Sequence, residues 1–182
     1  MKFTPTDIPD VVIVEPQVFG DERGFFMETW QAEKFQAAGI TANFVQDNHS
    51  RSSQWVLRGM HYQLGRPQGK LVRVLLGAIY DVCVDLRRSS PTFGRWVGVE
   101  LSADNRRQLW VPEGFAHGFL ALSDRVEITY KCTDYWAKDE ERSLIWNDPD
   151  LAIDWPLPAG IEPVQSEKDA QGRRFADLDV FA

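Results

Sequence analysis

The chain has 182 residues, 43% of them hydrophobic and 26% charged, with a formal net charge of −7. That length and balance fit one soluble globular domain with a sizeable core, spanning residues 1–182. The acidic balance, with no basic block to offset it, excludes nucleic acid as a partner, and no apolar run reaches membrane-spanning length.

Met1-Lys2-Phe3-Thr4-Pro5 lacks a signal-peptide core, so a cytoplasmic location is expected. Val11–Val14 reads as a short strand closed by Pro16, which cannot donate to a ladder. Asp21-Glu22-Arg23-Gly24 reads as a turn and Phe25–Trp30 as a strand. Gln31–Ala38 reads as a helix stopped by Gly39. Phe44–His49 resumes strand character, and Ser50–Gln54 reads as a polar loop.

From Trp55 to Trp136 one short strand follows another. Leu57–Gln63 and Lys70–Leu76 come first, and Gly77-Ala78 reads as a tight hairpin leading into Ile79–Leu86. Arg95–Leu101, Gln108–Val111, Phe115–Leu122 and Val126–Cys132 complete the series. Short strands at regular spacing with few helices predict an all-β jelly roll, as a barrel or a sandwich. The tail from Asn147 onward is proline-rich and irregular, and ends in a helix start capped by Ser166.

Side chains alternate across a strand, so Lys70 shares its face with Val72, Val74 and Leu76, the core side. An inward lysine needs an anionic partner or a wet cavity. By the same alternation Tyr130 points inward with Val126 and Ile128, while Glu127 and Lys131 point out. His61 reads either as a satisfied core histidine or as a site residue. An inward Tyr, His and Lys in one small barrel each demand a polar partner. His117, just past the Pro112–Gly114 turn, and Asp169, fourth in Ser-x-x-Asp, both have structural readings, as a turn anchor and as half of a capping box. Arg58 and His61 fall on opposite faces by strict alternation, and share a pocket only if Gly59 hosts a bulge.

The three histidines are His49, His61 and His117, and the position two after His61 is Gln63. A His-x-His metal pair is therefore missing and no catalytic metal is expected. Cys83 and Cys132 fit neither a disulfide framework nor a CxxC site.

Taken in order, Arg23-Gly24-Phe25-Phe26, Gln46-Asp47-Asn48, Leu57–Gln63, Gly69–Val72, Val111–Phe119, Tyr130–Tyr135, Trp146–Pro149 and Ser166-x-Lys168-Asp169 resemble the cupin-like dTDP-4-dehydrorhamnose 3,5-epimerases nearly end to end. The resemblance implies a jelly roll that forms a homodimer through its sheet and acts on a dTDP-sugar without metal or organic cofactor. It implies His61 as general base, Asp169 as the carboxylate that orients it, Tyr130 as proton donor on the opposite sugar face, and Lys70 as the cation beside the developing enolate. Arg23, Glu28, Gln46, Asp47, Asn48, Arg58, His117, Glu141 and Lys168 match substrate-binding positions, and Trp136 matches an aromatic ring that stacks on thymine. Rival readings are an epimerase acting at one carbon, a ketoisomerase of similar fold, a non-catalytic sugar-nucleotide-binding jelly roll, and a metal-dependent oxygenase, which Gln63 disfavours.

Overall fold

The computed structural model describes residues 1–182. Its strands are β1 (Lys2–Pro5), β2 (Val12–Glu15), β3 (Val18–Asp21), β4 (Gly24–Met27), β5 (Gln46–Ser53), β6 (Leu57–Gln63), β7 (Lys70–Leu76), β8 (Ala78–Asp85), β9 (Trp96–Ser102), β10 (Gln108–Val111), β11 (Phe115–Ala121), β12 (Arg125–Cys132) and β13 (Glu141–Ser143). There are two short α-helices, α1 (Ala32–Ala37) and α2 (Glu167–Ala170), and single 3-10 turns at Lys138–Glu140 and Phe175–Asp177. One sheet has the order β1-β2-β10-β7-β12-β5 and faces a second of order β13-β6-β11-β8-β9; β3 and β4 form a separate hairpin. Every pairing between these strands is antiparallel. The sheets do not close, so the jelly roll is realised as a sandwich. No helix is long and apolar enough to cross a membrane.

Three apolar layers hold the sandwich. Val72, Val74, Leu109 and Ile128 from the six-stranded sheet meet Ile79, Leu101, Phe115 and Phe119 from the five-stranded sheet. The proline-rich tail covers the outer face of the five-stranded sheet, with Leu151, Ile153, Trp155 and Leu178 on Leu57, Val82 and Leu120. Helix α1 sets Phe35 against Leu71 and Trp110 on the outer face of the six-stranded sheet. The Gln31 side chain caps α1 by accepting the Lys34 N–H at 2.7 Å, and Gly39 ends it at φ +84°.

Several sequence expectations need correction. Gly77-Ala78 is not a hairpin, because β7 and β8 lie in different sheets. It is a corner, and a Cβ on Gly77 would sit 2.4 Å from the Arg125 carbonyl oxygen of the neighbouring corner. Ala78 N–H donates to Ser123 Oγ across the two corners at 3.0 Å. The predicted loop from Ser50 is strand as far as Ser53, since these residues pair with Arg125–Ile128. Its polar composition fits a strand at the sheet edge. The strand predicted to run to Trp30 stops at Met27, the end of its pairing with β3. Leu76 is 44% exposed because the register of β7 against β12 shifts by one residue after Val74, which breaks the alternation.

The bulge required at Gly59 is present. His117 pairs with His61 and Phe119 with Arg58, so β6 carries one extra residue there. Gly59 has φ +115°, and a Cβ on it would meet Gly118 Cα at 2.7 Å. Arg58 and His61 thereby turn toward one cavity.

Candidate active site

The cavity lies between the sheets, with a volume of about 540 Å³. His61 and His117 enter it from β6 and β11, and Lys70 and Tyr130 from β7 and β12 on the facing sheet. Arg58, Trp136, Glu141, Lys168 and Asp169 also line it. A smaller adjoining cavity of about 230 Å³ shares His61, Lys70, Tyr130, Trp136 and Glu141 and adds Gln46 and Asn48.

Three expected residues lie elsewhere in the chain. Arg23 stands on the β3–β4 hairpin with its side chain 89% exposed and paired to Asp21. Glu28 pairs with Lys34 at 2.6 Å. Asp47 points away from Gln46 and Asn48, as strand alternation demands, and binds Lys131 at 3.0 Å.

His61 Nε2 lies 2.6 Å from Asp169 Oδ1, and Asp169 Oδ2 accepts the Gly59 N–H at 3.3 Å. Helix α2 presents this carboxylate. Ser166 Oγ caps the helix by accepting the Asp169 N–H at 3.2 Å, so the Asp169 side chain is free for the histidine. Burial raises the Asp169 pKa, but the His61 hydrogen bond and charge, the Gly59 N–H and Ser166 outweigh it and hold the carboxyl below the usual range. An ionised Asp169 fixes the proton on Nε2 and leaves the Nδ1 lone pair as a base.

Lys70 makes no ion pair within the chain. Burial lowers its pKa, partly offset by Cys132, Glu141 and Asp81. Tyr130 is shifted the other way, chiefly by burial, so its hydroxyl keeps its proton at neutral pH. The Arg58 guanidinium is steadied by Ser52 Oγ at 3.0 Å and the Arg51 carbonyl at 3.1 Å. Lys168 bridges to Glu141 at 2.6 Å. The chemistry available is proton transfer beside a cation, with further cations for an anionic ligand. No group of three or more His, Cys, Asp or Glu side chains is arranged to hold a metal ion.

Sequence reasoning missed Asp81, whose Oδ1 sits 2.6 Å from His117 Nε2 and is fully buried. The signal was a carboxylate inside the otherwise apolar stretch Ile79–Val84, which must have a partner. Ser52 was hidden in the supposed loop, and Gln165 also lines the cavity, with a buried Nε2 that no group in the chain accepts from.

Residues 5–177 match the family model described as dTDP-4-dehydrorhamnose 3,5-epimerase. A Pseudomonas aeruginosa protein named dTDP-4-dehydrorhamnose 3,5-epimerase is 59% identical over 182 residues, covering 100% of this chain and 99% of that protein. The crystal structure of a Legionella pneumophila dTDP-6-deoxy-D-glucose-3,5-epimerase in complex with dTDP-4-keto-L-rhamnose superposes with a TM-score of 0.94 at 51% identity, covering 98% of this chain and 94% of that one. A 3'-monoepimerase from Streptomyces bikiniensis, in complex with dTDP-quinovose, is more distant, with a TM-score of 0.87 and 34% identity over 94% of this chain and 87% of that one. With both its length and its sandwich matched, the chain belongs to the dTDP-4-dehydrorhamnose 3,5-epimerase family.

Proposed function

We propose that this chain epimerises carbons 3 and 5 of dTDP-4-keto-6-deoxy-D-glucose, giving dTDP-4-keto-L-rhamnose. The observation that carries the reading is the division of one cavity between two walls. His61 with Asp169 stands on one wall, and Tyr130 and Lys70 stand on the other. His61 Nδ1 takes the proton from a carbon beside the 4-keto group. The C–H electron pair forms the enolate double bond, and charge moves to the carbonyl oxygen. An unaided imidazole is too weak a base for this step. Lys70, a cation with no competing partner, stabilises the oxyanion as it forms. Tyr130 then gives its proton to the same carbon from the opposite face, and solvent restores both residues. No atom changes oxidation state overall, so the sequence of steps needs neither metal nor organic cofactor.

Arg58, His117, Lys168, Gln46 and Asn48 would hold the diphosphate and sugar, arginine suiting phosphate oxygens, and Trp136 would stack on thymine. Arg23 and Glu28, remote from their own cavity, would act in the partner's cavity of a homodimer. The exposed Phe19, Phe25 and Phe26 of their hairpin support that arrangement. Asp47, turned outward, pairs with Lys131 and lies outside this chain's own cavity. The buried, unpaired Cys83 and Cys132 fit a reducing cytoplasm.

The test is NMR in deuterated water, following the proton signals at carbons 3 and 5 separately against product stereochemistry. Tyr130→Phe should still exchange substrate hydrogen through His61 while forming little inverted sugar, and His61→Ala should lose both. If Tyr130→Phe inverted as fast as it exchanged, the two-wall mechanism would be wrong. Exchange confined to one carbon would identify a monoepimerase.

A further inference from the structure

The loop that carries Trp136 has an unusual support. Asp134, Tyr135 and Trp136 make no backbone–backbone hydrogen bond. Three glutamine side chains bind this segment instead. Gln68 Nε2 donates to the Asp134 carbonyl at 2.7 Å, and Gln46 Oε1 accepts the Trp136 N–H at 3.0 Å. Gln63 grips the loop on both sides of the tryptophan. Its Nε2 donates to the Tyr135 carbonyl at 3.2 Å, and its Oε1 accepts the Ala137 N–H at 2.8 Å. The same Nε2 also donates to the Arg66 carbonyl at 2.7 Å, so both amide atoms are committed. Gln63 is 4% exposed, whereas Trp136 is 56% exposed. An exposed ring has few packing contacts to hold it, so the backbone, which fixes the Cα–Cβ bond and the rotamers open to it, decides where the ring can reach.

We propose that Gln63 is a positioning residue for nucleotide recognition, which fixes the Trp136 ring for stacking by clamping the backbone on either side of it. The position two residues after His61, where a metal-binding jelly roll would place its second histidine, here serves the base-binding loop. Gln63 is suited to this work because one side chain supplies both an acceptor and a donor, matching an N–H and a C=O two residues apart. A buried amide with all its partners present also resists rotation, since turning it would leave polar groups unsatisfied. This inference rests on reading Trp136 as the base-stacking ring.

Two measurements test it. The first is amide hydrogen exchange on the ligand-free protein, which reads the clamp without any nucleotide. Gln63→Met, close in volume but unable to hydrogen-bond through its end group in the same way, should speed exchange across residues 134–137 at least tenfold and leave the centres of β8 and β11 unchanged. The second is calorimetric binding of dTDP to wild type, Gln63→Met, Trp136→Ala and the double variant. Gln63→Met should weaken dTDP about tenfold with saturating turnover within threefold of wild type, and should add almost nothing once Trp136 is alanine. If Gln63→Met does not fold, Gln63→Glu keeps the acceptor for Ala137 and turns a carboxylate against two carbonyl oxygens, and the same pattern is expected. Unchanged exchange at 134–137, a rise spread evenly over the sheets, or a dTDP loss undiminished in the Trp136→Ala background would overturn the proposal. Wild-type dTDP affinity in Trp136→Ala would remove the stacking reading and, with it, the nucleotide role of Gln63, while the exchange result would still judge the clamp.

Discussion

Replacing Asp169 by asparagine changes almost no volume but alters what the site offers to its two donors. The carboxylate accepts from His61 Nε2 at 2.6 Å and from the Gly59 N–H at 3.3 Å. An amide has one acceptor oxygen and one NH2 donor. With the oxygen toward His61, the NH2 confronts the buried Gly59 N–H, at a cost of about 1–3 kcal/mol. With the amide turned over, Gly59 keeps its acceptor and the NH2 donates to His61 Nε2, which forces the imidazole proton onto Nδ1. That second arrangement satisfies every hydrogen bond and removes the base. At about 1.36 kcal/mol per decade, the preference leaves about one molecule in 5 to one in 150 with the useful tautomer. Losing a hydrogen bond to a charged group, worth about 1.5–3 kcal/mol, weakens the imidazolium in those that remain. We therefore expect Asp169→Asn to lower kcat about 10²- to 10⁴-fold while urea unfolding at pH 7 stays within about 1 kcal/mol of wild type. Loss of the carbon 3 and carbon 5 proton signals in deuterated water gives the rate. Exchange within threefold of wild type would show that Asp169 does not orient His61. A comparable collapse in stability would make it a scaffold residue. There is also an acid signature. Because the folded pKa of Asp169 is held below its usual value, its contribution to stability is full above about pH 4 and fades as pH falls through the folded pKa; the asparagine variant lacks that loss.

Lys70→Ala should lower kcat by about 10²–10³-fold, the cost of one oxyanion donor, with a modest change in KM; weakened binding at unchanged turnover would make Lys70 a phosphate contact instead. Since burial lowers the Lys70 pKa, its charge is lost as pH rises, and wild-type kcat should fall on the alkaline side below the ordinary lysine value of 10.5, a limb that Lys70→Arg should lack. Sedimentation velocity should give twice the 20.8 kDa chain mass, and Phe25→Ser with Phe26→Ser should shift the protein toward monomer with loss of turnover; an active monomer would exclude cross-subunit roles for Arg23 and Glu28.

Strand alternation alone was enough to turn Lys70 and Tyr130 inward, because both lie where their strands are regular. The same rule failed at Leu76, a few residues further along β7, where one extra residue enters the strand. Gly59 showed that a bulge was needed, since Arg58 and His61 could not otherwise meet. Other features were illegible for a physical reason. A hairpin and a corner between sheets use the same breakers, so Gly77 could not tell which of the two it forms. Ser50–Ser53 owes its strand state to pairing with residues more than 70 positions away, which no local propensity records. Ser166 caps its helix as the sequence indicated, but Asp169 was legible only as half of a capping box, because the carboxylate's contact with His61 spans 108 positions of sequence.

The division of the cavity between two sheets has a consequence for fidelity. No hydrogen bond ties His61 to Tyr130 or Lys70; the two walls are held at their spacing by apolar side chains such as Val72, Phe119 and Ile128. On the proposed mechanism Lys70 aids proton removal across the gap through its charge, which weakens gradually with distance, whereas Tyr130 must come within hydrogen-bond reach of the carbon to deliver a proton, so inversion depends more steeply on the gap. Loosening this remote apolar layer would therefore degrade stereochemical outcome before it degraded bond breaking. A hydrophobic core in such a molecule is part of its measuring apparatus: the thickness of the greasy layer decides whether a sugar leaves inverted or merely relabelled with solvent hydrogen.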